Sequence, residues 1–267
     1  MSGVAEIWLR SRRTVSVLLV LGASLIAWEL GCWLLKPPPF VLPAPSAVVA
    51  EFVSSPEFFL RQTGYTLATT ISGFGLALLI GFVLAILITY STILEQTLYT
   101  LLVALNSVPK VALAPIFVIW MGTGAEPKIA IALTIGIFAI VIDTVLGLRS
   151  ADPDLLNLAR SARASTLQIL LKIRLPSALP SMFAGMKVAI SLSLVGAIVG
   201  EFVAGETGLG HVILLAQGMF QTPRMFVAVV ILGLLGTALF YLIDLLERVC
   251  VPWHISQRGG PAGAHGG

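Results

Sequence analysis

Residues 62–94 read QTGYTLATTISGFGLALLIGFVLAILITYSTIL, and none of them carries a charge. At 1.5 Å of rise per residue, about 20 apolar residues in a helix cross the ~30 Å hydrocarbon layer of a bilayer. Lipid offers no partner to backbone N–H and C=O groups, so a run of this kind must pair them internally as a helix. Outward from this stretch the same pattern recurs. Residues 14–35 hold one acid, Glu29; between Gln96 and Ala125 the only charge is Lys110; between Ile129 and Leu148 it is Asp143. Pro180 to Phe202 carries Lys187 and Glu201, and Met225 to Ile243 is charge-free. The spacing predicts six spans, near 14–35, 65–90, 97–120, 128–148, 180–203 and 224–247.

Composition agrees. Of 267 residues 57% are apolar and only 11% charged, with a mean hydropathy of +0.99; a soluble domain averages about 25% charged. The expected fold is therefore all-α, a polytopic membrane helical bundle of about six transmembrane helices in one domain covering residues 1–267. A net charge of +3 gives no reason to expect nucleic acid. The first span begins after Arg10, Arg12 and Arg13. Its apolar run exceeds the roughly 7–15 residues of a cleaved signal core, and no Ala-x-Ala site follows, so it reads as a retained span. Cys32 and Cys250 fall on opposite sides of this topology and are not expected to pair.

Orientation follows from the basic residues. With the N-terminus in the cytoplasm, Arg10, Arg12, Arg13, Arg149, Arg160, Arg163, Lys172, Arg174, Arg248 and Arg258 lie inside, and only Lys36, Arg61, Lys128 and Arg224 outside. That is a clear positive-inside bias. Both termini are then cytoplasmic. Outside, prolines 37–39, 43 and 45 impose extended backbone, and Ser46 is placed to cap a short surface helix through Val48, Val49 and Phe52. A second outer segment, 204–223, opens with Gly205, Gly208 and Gly210. It has room for a short helix before Pro223 starts the last span. The Gly-rich tail 254–267 reads as disordered.

The longest cytoplasmic loop, 149–179, carries the most information. Asp152-Pro153 is a helix start, an N-cap acid followed by proline at the first helical position. Leu155, Leu158 and Ala162 then recur at helical spacing. Ser165 with Gln168 three residues on has the capping-box pattern. Leu167, Leu170 and Leu171 form the apolar face of this second helix, which Pro176 is expected to end. On residue pattern alone, this helix–turn–helix suits either anionic lipid or a partner's groove.

The stretch Leu155-Leu156-Asn157-Leu158-Ala159-Arg160-Ser161-Ala162-Arg163-Ala164-Ser165, with Leu175-Pro176-Ser177-Ala178-Leu179-Pro180, resembles the EAA loop of bacterial ABC importer permeases. Leu42–Val48 is similar to the outer Leu-Pro-x-Pro-Ser-x-Val stretch of the nitrate/sulfonate/taurine branch. Glu201-Phe202 and Gly208-Leu209-Gly210 resemble that branch's Glu-Phe and Gly-Leu-Gly. The resemblance runs from about Trp28 to Trp253. It implies a permease subunit in the bacterial cytoplasmic membrane, paired with a second permease copy as a homodimer. It further implies two ATP-binding subunits beneath and an external solute-binding protein, and a small polar or anionic solute of the sulfonate, taurine or nitrate type. The ATPase contact would fall on Leu155, Asn157, Leu158, Ala159, Arg160, Ala162, Arg163, Ala164 and Ser165. Two positions depart from the family pattern: Asn157 stands at its Glu and Arg163 at its Gly. Glycine at such a turn serves a left-handed backbone, in which Arg is strained by about 1–2 kcal/mol. Either the turn differs here or the strain is borne.

No catalytic site, metal or cofactor is expected in this chain. Residues 122–128 resemble a phosphate loop only faintly, with Pro127 at its second glycine and Ile129 at its hydroxyl position. His211, His254 and His265 have no ligand spacing. Charged and polar residues within spans are candidates for the solute pathway: Asn106, Ser107 and Lys110 beside the kink expected at Pro109, Lys187, placed to snorkel to the cytoplasmic face, and Glu201. The competing reading is an ion-gradient-driven secondary transporter, whose acidic sites would lie at mid-span.

Overall fold

A computed structural model describes residues 2–99, 104 and 108–253. Among the described residues the chain is mostly helical, with no strand. Four helices are long and apolar enough to cross a membrane: Pro56–Tyr90, Glu126–Arg149, Thr166–Ala204 and Thr222–Cys250. The shorter apolar helices are Leu19–Leu35, Pro45–Ser54, Lys110–Met121 and Leu209–Gly218. The chain is a polytopic all-α membrane bundle. Of the region expected as a third span, the described part is broken. A bend at Val108 and the extended Pro109 lead into a 3-10 turn Lys110–Leu113 and then the helix Ala114–Met121. Proline without an N–H, at a point where the helix must restart, accounts for the break. Asn106, Ser107 and the tail 254–267 lie outside the described residues.

The chain divides into two compact units. In the first, Met1–Arg61 with Val212–Ile231, the helix Pro45–Ser54 has Ala44 as its N-cap and no side-chain cap. The expected cap by Ser46 is not made. Ser46 lies inside the first turn, and its N–H and hydroxyl both donate to the Glu29 carboxylate, at 3.0 and 2.7 Å. A charged acceptor from another helix satisfies the helix start better than a serine hydroxyl, and the helix dipole favours it. Arg224 Nε donates to Glu51 at 2.8 Å, and Trp28 packs on Phe226 at 5.7 Å between ring centroids.

In the second unit, Gln62–His211 with Leu232–Gly267, two helices run antiparallel in unusually close contact. A Cβ on Gly147 would stand 3.0 Å from Ala178 Cα; on Gly196 it would stand 2.7 Å from Ala132 Cα; on Gly200, 2.8 Å from Lys128 Cα. These pairs track each other along Glu126–Arg149 and Leu175–Ala204, so small residues set the register from end to end. Within lipid, hydrophobic transfer gives helices no reason to associate, and close packing supplies the attraction instead. Ser193 adds a bond from its Oγ to Ala132 O at 3.1 Å. Phe74, Ile140, Phe183, Ile190, Leu239 and Ile243 form the apolar core around this pair.

Pro176 does not end the second loop helix. Thr166–Ile169 continues through a wide i→i+5 turn, Leu170–Arg174, into Leu175–Ala204. The wide turn slips the hydrogen-bond ladder by one residue, with Leu175 N–H donating to Leu170 O. The proline, which has no N–H to offer, then enters without breaking the helix. Pro180 lies inside the same helix.

Candidate functional site

The loop between the helices ending at Arg149 and beginning at Leu175 is built from local chemistry. Arg149 holds its start by pairing with Glu95 at 2.7 Å, and the guanidinium keeps the Glu95 carboxyl below its ordinary range. Asp152 caps Pro153–Ser161 by accepting from Asp154 N at 2.8 Å, with Pro153 in the first turn. The Ser165–Gln168 capping box is complete: Ser165 N donates to Gln168 Oε1 at 2.8 Å and Gln168 N to Ser165 Oγ at 3.2 Å.

Between the two helices the backbone turns at Arg163, whose φ is +57°. Arg163 N donates to Arg160 O at 2.9 Å and Ala164 N to Ala159 O at 3.0 Å. These are the paired 5→2 and 6→1 bonds of a Schellman C-cap, which needs a left-handed residue at this position. The turn is the one glycine would serve, and arginine bears the strain.

Outside the turn, Leu155 and Leu158 are 46% and 66% exposed although both are apolar and lie beyond any candidate span. Leu167 and Leu171 on the second helix are likewise exposed. Between the helices lies a cleft of about 490 Å³, lined by Ala159, Ala162, Arg163, Gln168, Lys172 and Ile173 among others. Asn157 and Ser165 are exposed, and the Ser161 hydroxyl back-bonds to Asn157 O. The structure therefore gathers the expected contact residues on one small helix–turn–helix whose apolar stripe, Leu155 and Leu158, is exposed among the described residues.

The pathway candidates among the described residues, Lys110, Lys187 and Glu201, are not gathered. Lys110 lies 5.2 Å from the centroid of the Phe138 ring. Lys187 does not snorkel. Its ammonium is buried between Asp244 and Glu247, and Arg248 pairs with the other oxygen of Asp244 at 2.7 Å. Two carboxylates within reach hold the charge inside better than water at the helix end would release it. Glu201, about 21 Å further along the same helix, is fully buried. It accepts from Thr66 Oγ1 at 2.8 Å and from Gly210 N at 2.7 Å. Thr66 Oγ1 in turn accepts from Leu209 N at 2.9 Å, and Gln62 Oε1 from Gly208 N at 2.6 Å. The three N–H groups at the start of Leu209–Gly218 are thus satisfied by Gln62, Thr66 and Glu201. Gly208, at φ +107°, leaves no room for a Cβ against the Glu201 carboxylate. Glu201 and the Gly-Leu-Gly turn are one structural unit.

Sequence reasoning missed several participants. Lys128, counted as an outer-loop cation, is 1% exposed, with Nζ 2.9 Å from the Tyr65 hydroxyl. Gln62 and Thr66 gave no signal of their own. The Gly196–Gly200 pair did, as a small-x-x-x-small pattern of the kind that permits close helix approach.

Comparison with known proteins follows the same lines. The family described as binding-protein-dependent transport system inner membrane component matches residues 47–250. The riboflavin transport system permease protein RibX of Chloroflexus aurantiacus is 38% identical over 87% of this chain and 87% of its own length. A putative aliphatic sulfonates transport permease protein, SsuC of Bacillus subtilis, is 30% identical over 82% of this chain and 80% of its own. Among solved structures, the inward-facing MetNI methionine ABC transporter aligns with a TM-score of 0.65 over 73% of this chain and 97% of that chain, at 20% identity; this is a likeness of fold.

Proposed function

The chain belongs to the inner membrane component family of binding-protein-dependent transport systems, the permease subunits of ABC importers, and we infer that its 149–179 loop couples an ATPase to a pathway for a small nutrient. It is a multi-pass membrane protein that works with ATPase subunits, and ATP hydrolysis resides on those separate subunits. The reading of the loop rests chiefly on one observation: exposed Leu155 and Leu158 stand on a rigidly capped helix outside any span, beside a cleft. A stripe of that kind is costly unless something covers it. Closure of the ATPase pair would move this helix as a rigid body and switch the open side of the pathway.

The assembly proposed is a homodimer of this permease, two ATPases on the cytoplasmic face and an external solute-binding protein, with both termini cytoplasmic. The solute is a small polar or anionic nutrient. The sulfonate relative supports an anion; the greater identity to a riboflavin permease supports a nitrogen heterocycle. Uptake into proteoliposomes carrying the whole assembly, with sulfonate, nitrate and riboflavin as competing solutes, separates the two.

The coupling reading is tested by Ala159→Glu. Ala159 is half-buried beside the cleft, and a carboxylate forced into a packed contact there costs several kcal/mol. The variant should insert at normal levels, lose its ATPase on purification and abolish uptake. An ATPase-bound, transporting Ala159→Glu protein would remove the coupling role from this loop.

A further inference from the structure

The loop carries more positive charge than its own acids use. Arg149 is paired with Glu95, and Arg174 lies over the Tyr90 ring at 5.1 Å. Asp152 is engaged at the N-cap of its helix. Arg160, Arg163 and Lys172 have no carboxylate partner among the described residues. Two of these three, Arg163 and Lys172, line the same cleft, from the turn and from the wide turn opposite.

Arg163 is there at a cost. Its left-handed backbone is the conformation that a side chain disfavours and that glycine adopts freely. Among the described residues nothing repays this: the capping bonds are made by backbone atoms that glycine also has. A strained residue that a simpler one would replace without loss of local structure points to a use for its side chain. A cleft lined by two cations without a carboxylate partner among the described residues and by the small side chains of Ala159 and Ala162 has room for a protruding side chain of opposite charge.

We propose that this cleft seats an acidic side chain of the ATPase subunit, that Arg163 and Lys172 grip its carboxylate, and that Arg163 thereby determines which ATPase this permease accepts. The proposal rests on the coupling reading above and adds the chemistry of the contact. A guanidinium and an ammonium converging on one carboxylate form charge-assisted bonds, which are stronger and more selective than the apolar stripe alone.

The test uses the full permease in nanodiscs and its purified cognate ATPase subunit, with affinity measured at low and high salt. Wild-type affinity should fall with salt. Arg163→Gly should raise the permease's Tm, weaken ATPase binding by about tenfold or more, and flatten the salt dependence. Arg163→Lys, as strained and as charged, should keep most of the affinity. Unchanged or tighter binding by Arg163→Gly overturns the proposal. So does a binding deficit seen in discs containing phosphatidylglycerol and absent in phosphatidylcholine, which would make lipid headgroups the occupant. Ala159→Glu separates the two levels. If it abolishes binding while Arg163→Gly does not, only the acidic seat fails. If Ala159→Glu binds normally, the coupling reading fails with it.

Discussion

Single residues carry two different kinds of work in this chain, and the difference is measurable. Thr66 and Thr70 lie one turn apart and are both fully buried. Thr70 Oγ1 donates only to Thr66 O, at 2.7 Å, within its own helix. Thr66 Oγ1 links Glu201 to Leu209 N across three elements. Thr66→Val keeps the volume and strands a buried N–H and a carboxylate oxygen, a loss of about 1–3 kcal/mol for each unsatisfied group. Thermal unfolding in detergent should therefore show a clear fall for Thr66→Val and a much smaller one for Thr70→Val; equal shifts would mean that the brace is dispensable. Lys110 is the other informative position. If it meets an anionic solute, Lys110→Met weakens uptake and leaves assembly and basal ATP hydrolysis intact. Loss of assembly would instead assign it to an interface, and normal uptake would remove both roles.

At the scale of elements, the pairing of Glu126–Arg149 with Leu175–Ala204 is held by absence of side chains. A Cβ at Gly196 would overlap the backbone of Ala132, which has no room to yield. Gly196→Ala should destabilise by about 1–3 kcal/mol through forced separation of the two helices. Gly64, mid-helix in Pro56–Tyr90, has nothing within 4 Å of its missing Cβ. There the same substitution should be neutral or stabilising by up to about 1 kcal/mol, from helix propensity alone. Tm shifts of opposite direction check this; parallel losses would show that the close approach is not what matters. The loop helices belong to the same scale. Their starts were legible because Asp152-Pro153 and Ser165-x-x-Gln168 are local chemistry. The continuation through Pro176 was not, because it depends on a wide turn whose only trace is a run of ordinary residues, Leu170–Arg174.

For the whole molecule, the topology is a claim about which surfaces face which compartment. The proposed orientation, ten basic residues inside against four outside, would put residues 149–179 and both termini in the cytoplasm. Cysteine substitutions at Ser150 and Ser54, labelled with a membrane-impermeant reagent from outside, should report opposite sides. Labelling of both would overturn the six-span arrangement. The amino-acid sequence by itself determined that this is a membrane bundle and a member of the permease family, because long charge-free runs have one solution in lipid and the loop motifs are contiguous. It also placed the helix starts, whose caps lie within three residues of the groups they satisfy. The tertiary structure alone decided which charges are spoken for. Lys187 and Glu201 are pathway candidates in a linear reading, which does not show what holds them. Their partners, Asp244 and Glu247 for one and Thr66 and Gly210 for the other, lie elsewhere in the chain. A buried charge is defined by what surrounds it in space, and nothing in the residues beside it in sequence records that.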